Sequence, residues 1–420
     1  MGKNRREKSF RWILVLVLVS AFQVLSFSRF FIKASSFNLE LFYVFSAFMG
    51  LEWLYLIFHR LISRRKDFQL EIIAFFLSGI GLVVCASFNN DFALKQALAI
   101  GLGLLTHIGV LLISKNTDIA MFLRVPAAVA SLGLLAFNLL VAKTKYGTLN
   151  WIEIAGFSVQ PSELVKVAFV FVGAVTLQKI QSTKSLTKYL IFSVTCIGAL
   201  FLMKDFGTAL IFFFTFVVIA FMRSGDVRSI FLVSTGAALG GGMVLYFKPY
   251  VVRRFATYRH IWENMDTGGY QQTRVLIYMA SGGLFGLGIG EGKLRNVYAA
   301  STDLVFGLVC EEFGLLLGLF ILTAYGLIAL YALIAANRAA STFYSMAAVC
   351  AASMILFQVS LNVFGITDLL PLTGVTLPFI SRGGTSMISS WGLLALIRAV
   401  GLFGNSATHP ANKRLEGEGQ

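Results

Sequence analysis

The chain has 420 residues, 57% of them hydrophobic and only 13% charged, with a mean hydropathy of +0.79; this balance excludes an ordinary soluble domain and points to a polytopic membrane protein. The net charge is +15, but Lys and Arg occur in short clusters between apolar runs and on no continuous face, which argues for membrane topology and against nucleic acid as a partner. Cys85, Cys196, Cys310 and Cys350 lie in apolar runs without a C-x-x-C spacing, and His59, His107, His260 and His409 are scattered, so neither a disulfide framework nor a zinc centre is expected.

The N-terminal "MGKNRREKSFRWILVLVLVSAF" is a basic stretch followed by an apolar one. It reads as an uncleaved first span, since "SFSRFFIKASS" is a weak cleavage site and the next apolar run follows at once. A spanning helix needs about 20 apolar residues. On that criterion about twelve spans are expected, at 13–27, 38–58, 70–88, 93–113, 119–142, 163–178, 187–203, 206–223, 228–247, 303–335, 342–364 and 380–402. The expected fold is thus all-α, a single membrane domain over 1–420 with a large extracytoplasmic loop before helix 10. Starting inside, the basic loops "HRLISRRKDF", "QKIQSTKSLTK", "MRSGDVR" and "ANRAA" all fall in the cytoplasm. Both termini are then cytoplasmic, and residues 403–420 form a cytoplasmic tail.

Two longer segments fall outside, "KTKYGTLNWIEIAGFSVQPSE" and the stretch from Lys248 to Thr302. The latter carries Lys248, Arg253, Arg254, Arg259, Arg274, Lys293 and Arg295 on the side where basic residues should be scarce, which suggests an anionic ligand; long loops also escape the charge rule. Its "QQTRVLIYMASGGLFGLGIGEG" is too short and too broken to span and is expected to be re-entrant or interfacial. "GLGIGEG" has no strand–turn–helix context and is not read as a dinucleotide loop.

An ionisable group inside a span costs at least about 2.5–3.5 kcal/mol at the helix centre, so each needs a reason. Glu163 and Lys166 in "QPSELVKVAF" share a helix face and can neutralise each other, as a structural pair or in a direct chemical role. Lys204 and Asp205 in "FLMKDFGTAL" form an outer turn, where Asp205 either caps the next helix or takes part in chemistry. In "STDLVFGLVCEEFG", Asp303 stands at the outer start of a helix, beside the basic loop, where the helix dipole favours an anion. Glu311 and Glu312 lie deeper and are expected to anchor packing.

Taken together, "LNWIEIAGFSVQPSELVKVA", "KDFGTALIFF", "GGYQQTRVLIYMASGGLFGLGIGEG", "STDLVFGLVCEEFG" and "LPLTGVTLPFISRGGTSMI" resemble the SEDS family of shape, elongation, division and sporulation proteins. The motifs occur in the family's order over roughly 140–400. Some positions depart from the family's pattern. "YAASTD" keeps only Thr302 and Asp303 of Pro-Glu-x-His-Thr-Asp, with Ser301 in place of the His. Lys204 replaces a Pro, Asn150 an Arg, and Arg382 the Tyr of Ser-Tyr-Gly-Gly. Five helices precede "QPSEL" where ten-helix members have three, which implies two added N-terminal spans within 1–142, followed by a SEDS-like core over 143–402.

The resemblance implies a peptidoglycan glycosyltransferase of the bacterial cytoplasmic membrane that polymerises glycan strands from lipid II and releases undecaprenyl pyrophosphate outside the cell. Asp303 matches the family's catalytic aspartate and would accept the proton of the attacking 4-hydroxyl. The leaving pyrophosphate needs fixed cations or a divalent ion, Mg or Mn; Arg253, Arg254, Arg259 and Lys204 are candidates, the arginines preferred for their forked donors. Glu163, Lys166, Thr302, Gln271, Ser381 and Arg382 complete the substrate-binding set. The implied partners are lipid II, the undecaprenyl-linked glycan and a class B penicillin-binding protein. Two other readings are a flippase for the lipid-linked precursor, which would need charges along a central path, and a catalytically weakened scaffold.

Overall fold

The computed structural model describes residues 2–32, 37–63, 67–145, 148–154, 157–177, 183–225 and 257–404, with the isolated positions 228, 231 and 235. Apolar runs become helices in chain order: α1 (Gly2–Ile32), α2 (Leu39–Ser63), α3 (Gln69–Phe88), α4 (Asn90–Lys115), α5 (Thr117–Val141), α6 (Pro161–Leu177), α7 (Thr183–Leu202), α8 (Phe206–Ser224), α9 (Tyr270–Gly282), α10 (Val305–Phe313), α11 (Leu315–Asn337), α12 (Thr342–Ile366) and α13 (Gly384–Phe403). Nine of these are long and apolar enough to cross a membrane, and the stretch 187–202 of α7 is a shorter apolar helix. The protein is therefore a multi-pass membrane protein. The expected span at 228–247 lies outside the described residues, as do Arg253, Arg254, Lys248 and the tail from 405 onward.

Side chains set the helix ends where backbone groups would be left without partners. Asn89 Oδ1 accepts from Phe92 N at 2.8 Å to start α4, and Asn116 Oδ1 accepts from Asp118 N at 2.8 Å to start α5. Gly225, at φ 63°, closes α8.

Helix α13 lies at the centre. It packs against α4, α6 and α12, and small residues let its neighbours come close. A Cβ on Gly103 of α4 would lie 2.7 Å from the Trp391 ring, and one on Gly392 would lie 2.8 Å from Val167 of α6. His107 Nδ1 is 3.1 Å from the Trp391 carbonyl. At the far end of α13, buried Arg398 pairs with buried Glu71 of α3 at 2.8 Å and is 3.0 Å from the Tyr331 hydroxyl of α11. The four cysteines are buried and free. Leu, Val and Phe side chains cover the exposed faces of α1, α2 and α5, as a surface solvated by lipid requires.

Three expectations change. The fold is helical with one addition: 143–159 forms a small antiparallel sheet, β1 (Lys143–Lys145), β2 (Thr148–Ile154) and β3 (Phe157–Val159), with Lys145 opposite Thr148 and Glu153 opposite Ser158. The pattern is strand-like because Trp151, Ile152 and Ile154 are bulky or β-branched residues. Leu149 N bonds to Met203 O at 3.0 Å, which ties the sheet to the turn between α7 and α8.

The single span expected at 303–335 is instead two helices, α10 and α11, broken at Gly314. Gly314 has φ 92° and ψ 162°, a region open essentially only to glycine. Leu315 N and Leu316 N, left over at the break, bond to the carbonyls of Gly283 and Leu284. The glycine-rich stretch after α9 is what fits there: a Cβ on Gly286 would lie 2.3 Å from the Glu312 carbonyl. Finally, the last span starts at Gly384; the chain before it, 371–383, is a non-helical segment folded back into the bundle.

Candidate functional site

One end of the bundle gathers the start of α4, α6, α8 and α13, the end of α12 and the turn before α10. Asp303 is half-buried in that turn, two residues ahead of α10. Its backbone and that of its neighbours are tied down. Asn362 Nδ2 of α12 donates to the Asp303 carbonyl at 2.8 Å and to the Val375 carbonyl at 2.7 Å, so one amide joins the turn to the 371–383 segment. Ser381 Oγ donates to the Thr302 carbonyl at 2.5 Å while accepting from Leu377 N at 2.7 Å. Arg382 N donates to the Ser301 carbonyl at 2.8 Å. Gln96 of α4 donates in turn to the Ser381 carbonyl at 3.1 Å. Three consecutive carbonyls, of Ser301, Thr302 and Asp303, are thus fixed, and the carboxylate is set on a rigid mount. Gly374, at φ 72°, leaves room for it: a Cβ there would be 3.3 Å from Asp303 Oδ2.

Glu163 and Lys166 lie in the first turns of α6 and are buried. Lys166 Nζ is 2.8 Å from Glu163 Oε1 and 2.8 Å from Gln358 Oε1 of α12, and Glu163 Oε2 accepts from Ser389 Oγ of α13 at 2.9 Å. The pair therefore ties three helices together. Gln358 Nε2 goes on to the Thr376 carbonyl at 2.8 Å. Thr376 adjoins Val375, whose carbonyl shares Asn362 with Asp303. A chain of polar contacts thus runs from the ion pair to the Asp303 turn.

Asp205 caps α8, its Oδ1 accepting from Thr208 N at 3.1 Å. It is also the hub of a second network. Its Oδ2 accepts from Asn150 Nδ2 of β2 and from Gln160 Nε2 at 3.3 Å. Asn150 Oδ1 accepts from Ser162 Oγ at 3.1 Å and Asn138 Nδ2 at 3.1 Å. Burial pushes the Asp205 carboxyl above its ordinary value, with the bonds from Thr208 opposing. The two networks meet: Gln160 N donates to Thr385 Oγ1 at 3.2 Å, and a Cβ on Gly207 would lie 2.6 Å from Val375 Cγ1.

Other expected residues stand around this end. Lys204 is exposed at φ 62° in the turn before Asp205. Arg259, also at φ 62°, donates its backbone N to Asp368 Oδ1 at 3.3 Å, just past α12. Gln271 is turned to the Tyr298 carbonyl at 3.1 Å. Thr302 Oγ1 bonds within its own turn, to the Ala299 carbonyl at 3.2 Å. Arg382 lies over the Phe92 ring at 3.8 Å. Glu311 accepts from Lys293 N at 2.7 Å and Leu294 N at 2.9 Å, so it organises the loop that leads to Asp303. Among the described residues no group of three or more His, Cys, Asp and Glu side chains gathers to hold a metal ion.

Asn362, Gln358, Thr376, Ser389 and Gln160 escaped the sequence reading. The two amides at i and i+4 of "FQVSLNVF" were the available signal, since polar side chains in a span rarely go unused.

The family of cell cycle proteins FtsW, RodA and SpoVE matches residues 68–404. The chain belongs to the FtsW/RodA/SpoVE family. It is 30% identical over 369 residues to the Stage V sporulation protein E of Bacillus subtilis, covering 81% of this chain and 96% of that protein. It is 30% identical over 373 residues to the probable peptidoglycan glycosyltransferase FtsW of Saccharophagus degradans, covering 81% and 93%. Against the peptidoglycan glycosyltransferase RodA of Mycobacterium leprae the identity is 30% over 285 residues, 64% of this chain and 60% of the other. The rod shape determining protein RodA of Thermus thermophilus superposes with a TM-score of 0.59 at 26% identity, covering 80% of this chain and 96% of that one. A chain of a peptidoglycan synthase complex gives a TM-score of 0.67 at 24% identity, covering 81% and 98%, and shares the fold. The matched FtsW/RodA/SpoVE region begins at residue 68, after α1 and α2.

Proposed function

We propose that this protein is a peptidoglycan glycosyltransferase that polymerises glycan strands from lipid II at the outer face of the bacterial cytoplasmic membrane. The names of its relatives support the reaction class. The observation that carries the proposal is Asp303 on its mount: a carboxylate at one end of the bundle, fixed through three adjacent carbonyls.

In the reaction the 4-hydroxyl of a lipid-linked disaccharide attacks the anomeric carbon of the growing chain on undecaprenyl pyrophosphate. Asp303 takes the hydroxyl proton as the new C–O bond forms. The bond from the anomeric carbon to the pyrophosphate oxygen breaks, and its electron pair leaves with undecaprenyl pyrophosphate. Attack opposite the leaving group inverts the anomeric centre. Arg259 and Lys204, with Arg253 and Arg254 from outside the described residues, are the cations offered to the leaving group. Polyprenyl tails stay in lipid while the sugars react at the surface. Glu163 and Lys166 act here as positioning residues through Gln358 and Thr376. The basic loops support an orientation with both termini in the cytoplasm and Asp303 outside. A class B penicillin-binding protein is the partner, for elongation, division or sporulation.

The test is strand synthesis from purified lipid II, by the protein alone and with candidate class B penicillin-binding proteins. Product in either case that depends on Asp303 supports the reading. Absence of product with every partner would reject it.

A further inference from the structure

Two arginines flank an aromatic pair at the turn between α3 and α4. Arg295 lies over Phe88 at 5.7 Å, Phe88 and Phe92 have ring centroids 6.5 Å apart, and Arg382 lies over Phe92 at 3.8 Å. The two arginines are differently committed. Arg295 donates to the Gly290 carbonyl at 2.8 Å and to the Ser87 carbonyl, so its fork is used to hold the loop. Arg382 is held by its backbone and by the ring; among the described residues its guanidinium makes no hydrogen bond and no ion pair. Asp91, beside Phe92 in sequence, is engaged by Lys95 at 2.8 Å.

Stacking on an aromatic face fixes the plane of a guanidinium and leaves its in-plane N–H donors pointing outward, which is the arrangement that grips a phosphate with two parallel bonds. Space for a ligand lies nearby, since a Cβ on Gly384 would meet nothing within 4 Å. The backbone of Arg382 is bonded to Ser301, two residues from Asp303, so the backbones that carry the guanidinium and the carboxylate are tied together. Taking the proposed reaction as given, the base takes the proton of the hydroxyl that attacks the anomeric carbon, and that carbon is bonded directly to the pyrophosphate.

We propose that Arg382, stacked on Phe92, is a specificity-determining residue that binds the pyrophosphate of the polyprenyl-linked substrate. The same fork would suit the phosphate of an ordinary anionic lipid, so the experiment separates the two. Binding of undecaprenyl pyrophosphate is measured on purified protein in phosphatidylcholine nanodiscs and again with phosphatidylglycerol added; this readout needs no turnover. Arg382→Gln should weaken binding about tenfold or more in both bilayers, as the loss of a charge-assisted pair does, and Arg382→Lys should recover part of it. Phe92→Leu, which keeps the charge but removes the platform, should fall between and guards against a Gln variant that fails to fold. In the lipid II assay the same variants should raise KM more than they lower kcat. Equal binding by wild type and Arg382→Gln, or no binding by wild type, overturns the proposal. So does a difference seen only with phosphatidylglycerol present, which reassigns the arginine to bulk lipid. A polymerase failure with intact, Arg382-dependent binding would count against the reaction and leave the binding site standing.

Discussion

The carboxylate of Asp303 and its mount are separable. Asp303→Asn keeps the shape and the backbone bonds from Asn362, Ser381 and Arg382, while removing the anion that accepts the proton. Strand synthesis should fall by about 100-fold or more, the scale of a lost general base, with unchanged yield and thermal unfolding. Synthesis at wild-type rate in the Asn protein would take the reaction away from Asp303. Glu163 and Lys166 call for the opposite experiment. Both are buried, so reversing one charge leaves its partner uncompensated, at about 3–5 kcal/mol, whereas reversing both restores a pair. Gln358 on Lys166 and Ser389 on Glu163 can adapt only in part. The double variant should therefore recover some of the folded protein and activity that either single variant loses; a cycle with no coupling would mean the two act separately.

Among the elements, the break at Gly314 is the most exacting. Alanine there would need a backbone conformation costing about 1–3 kcal/mol, and its Cβ would lie 2.2 Å from the Leu284 carbonyl. Gly314→Ala should thus lower the unfolding temperature and loosen the loop that Glu311 holds through Lys293 and Leu294. Proteolysis between 283 and 296 would report that loosening, and an unchanged digestion pattern would show that the loop is held by other means. This break also marks where the sequence reading fell short. Hydropathy runs without interruption through "VFGLVCEEFGLLLGLFILTAY", so composition saw one long span. What divides it is backbone conformation and the unpaired amides of Leu315 and Leu316, which depend on a partner segment remote in sequence. The carboxylates themselves were legible, because charge in an apolar run is costly and conspicuous. Their partners were less so, since a buried amide such as Asn362 is defined by two carbonyls that only the folded chain brings together.

At the scale of the molecule, the charge pattern predicts one orientation in the bilayer. A single cysteine at exposed Asp266, placed in a background free of the four buried native thiols, should react with an impermeant reagent from outside intact cells. Labelling only after the cytoplasmic face is opened would invert the topology. The helices α1 and α2 offer a second whole-molecule test. The hydrogen bonds that hold the Asp303 turn come from α12 and the 371–383 segment, and the link of α1 to the loop, Arg29 to Glu291 at 3.1 Å, is exposed on both sides and worth less than about 1 kcal/mol. Protein lacking residues 1–66 should remain monodisperse and bind undecaprenyl pyrophosphate as the full chain does; aggregation would make the two helices integral to the core.

Those two helices also govern who can come alongside. Phe22 of α1 meets Phe76 of α3 at 5.5 Å, and Phe48 of α2 meets Phe75 at 6.2 Å, so that flank of α3 is covered from within the chain. A second protein anchored by one membrane helix finds that berth taken. With α1 and α2 in place, a further membrane helix can pack only elsewhere on the perimeter.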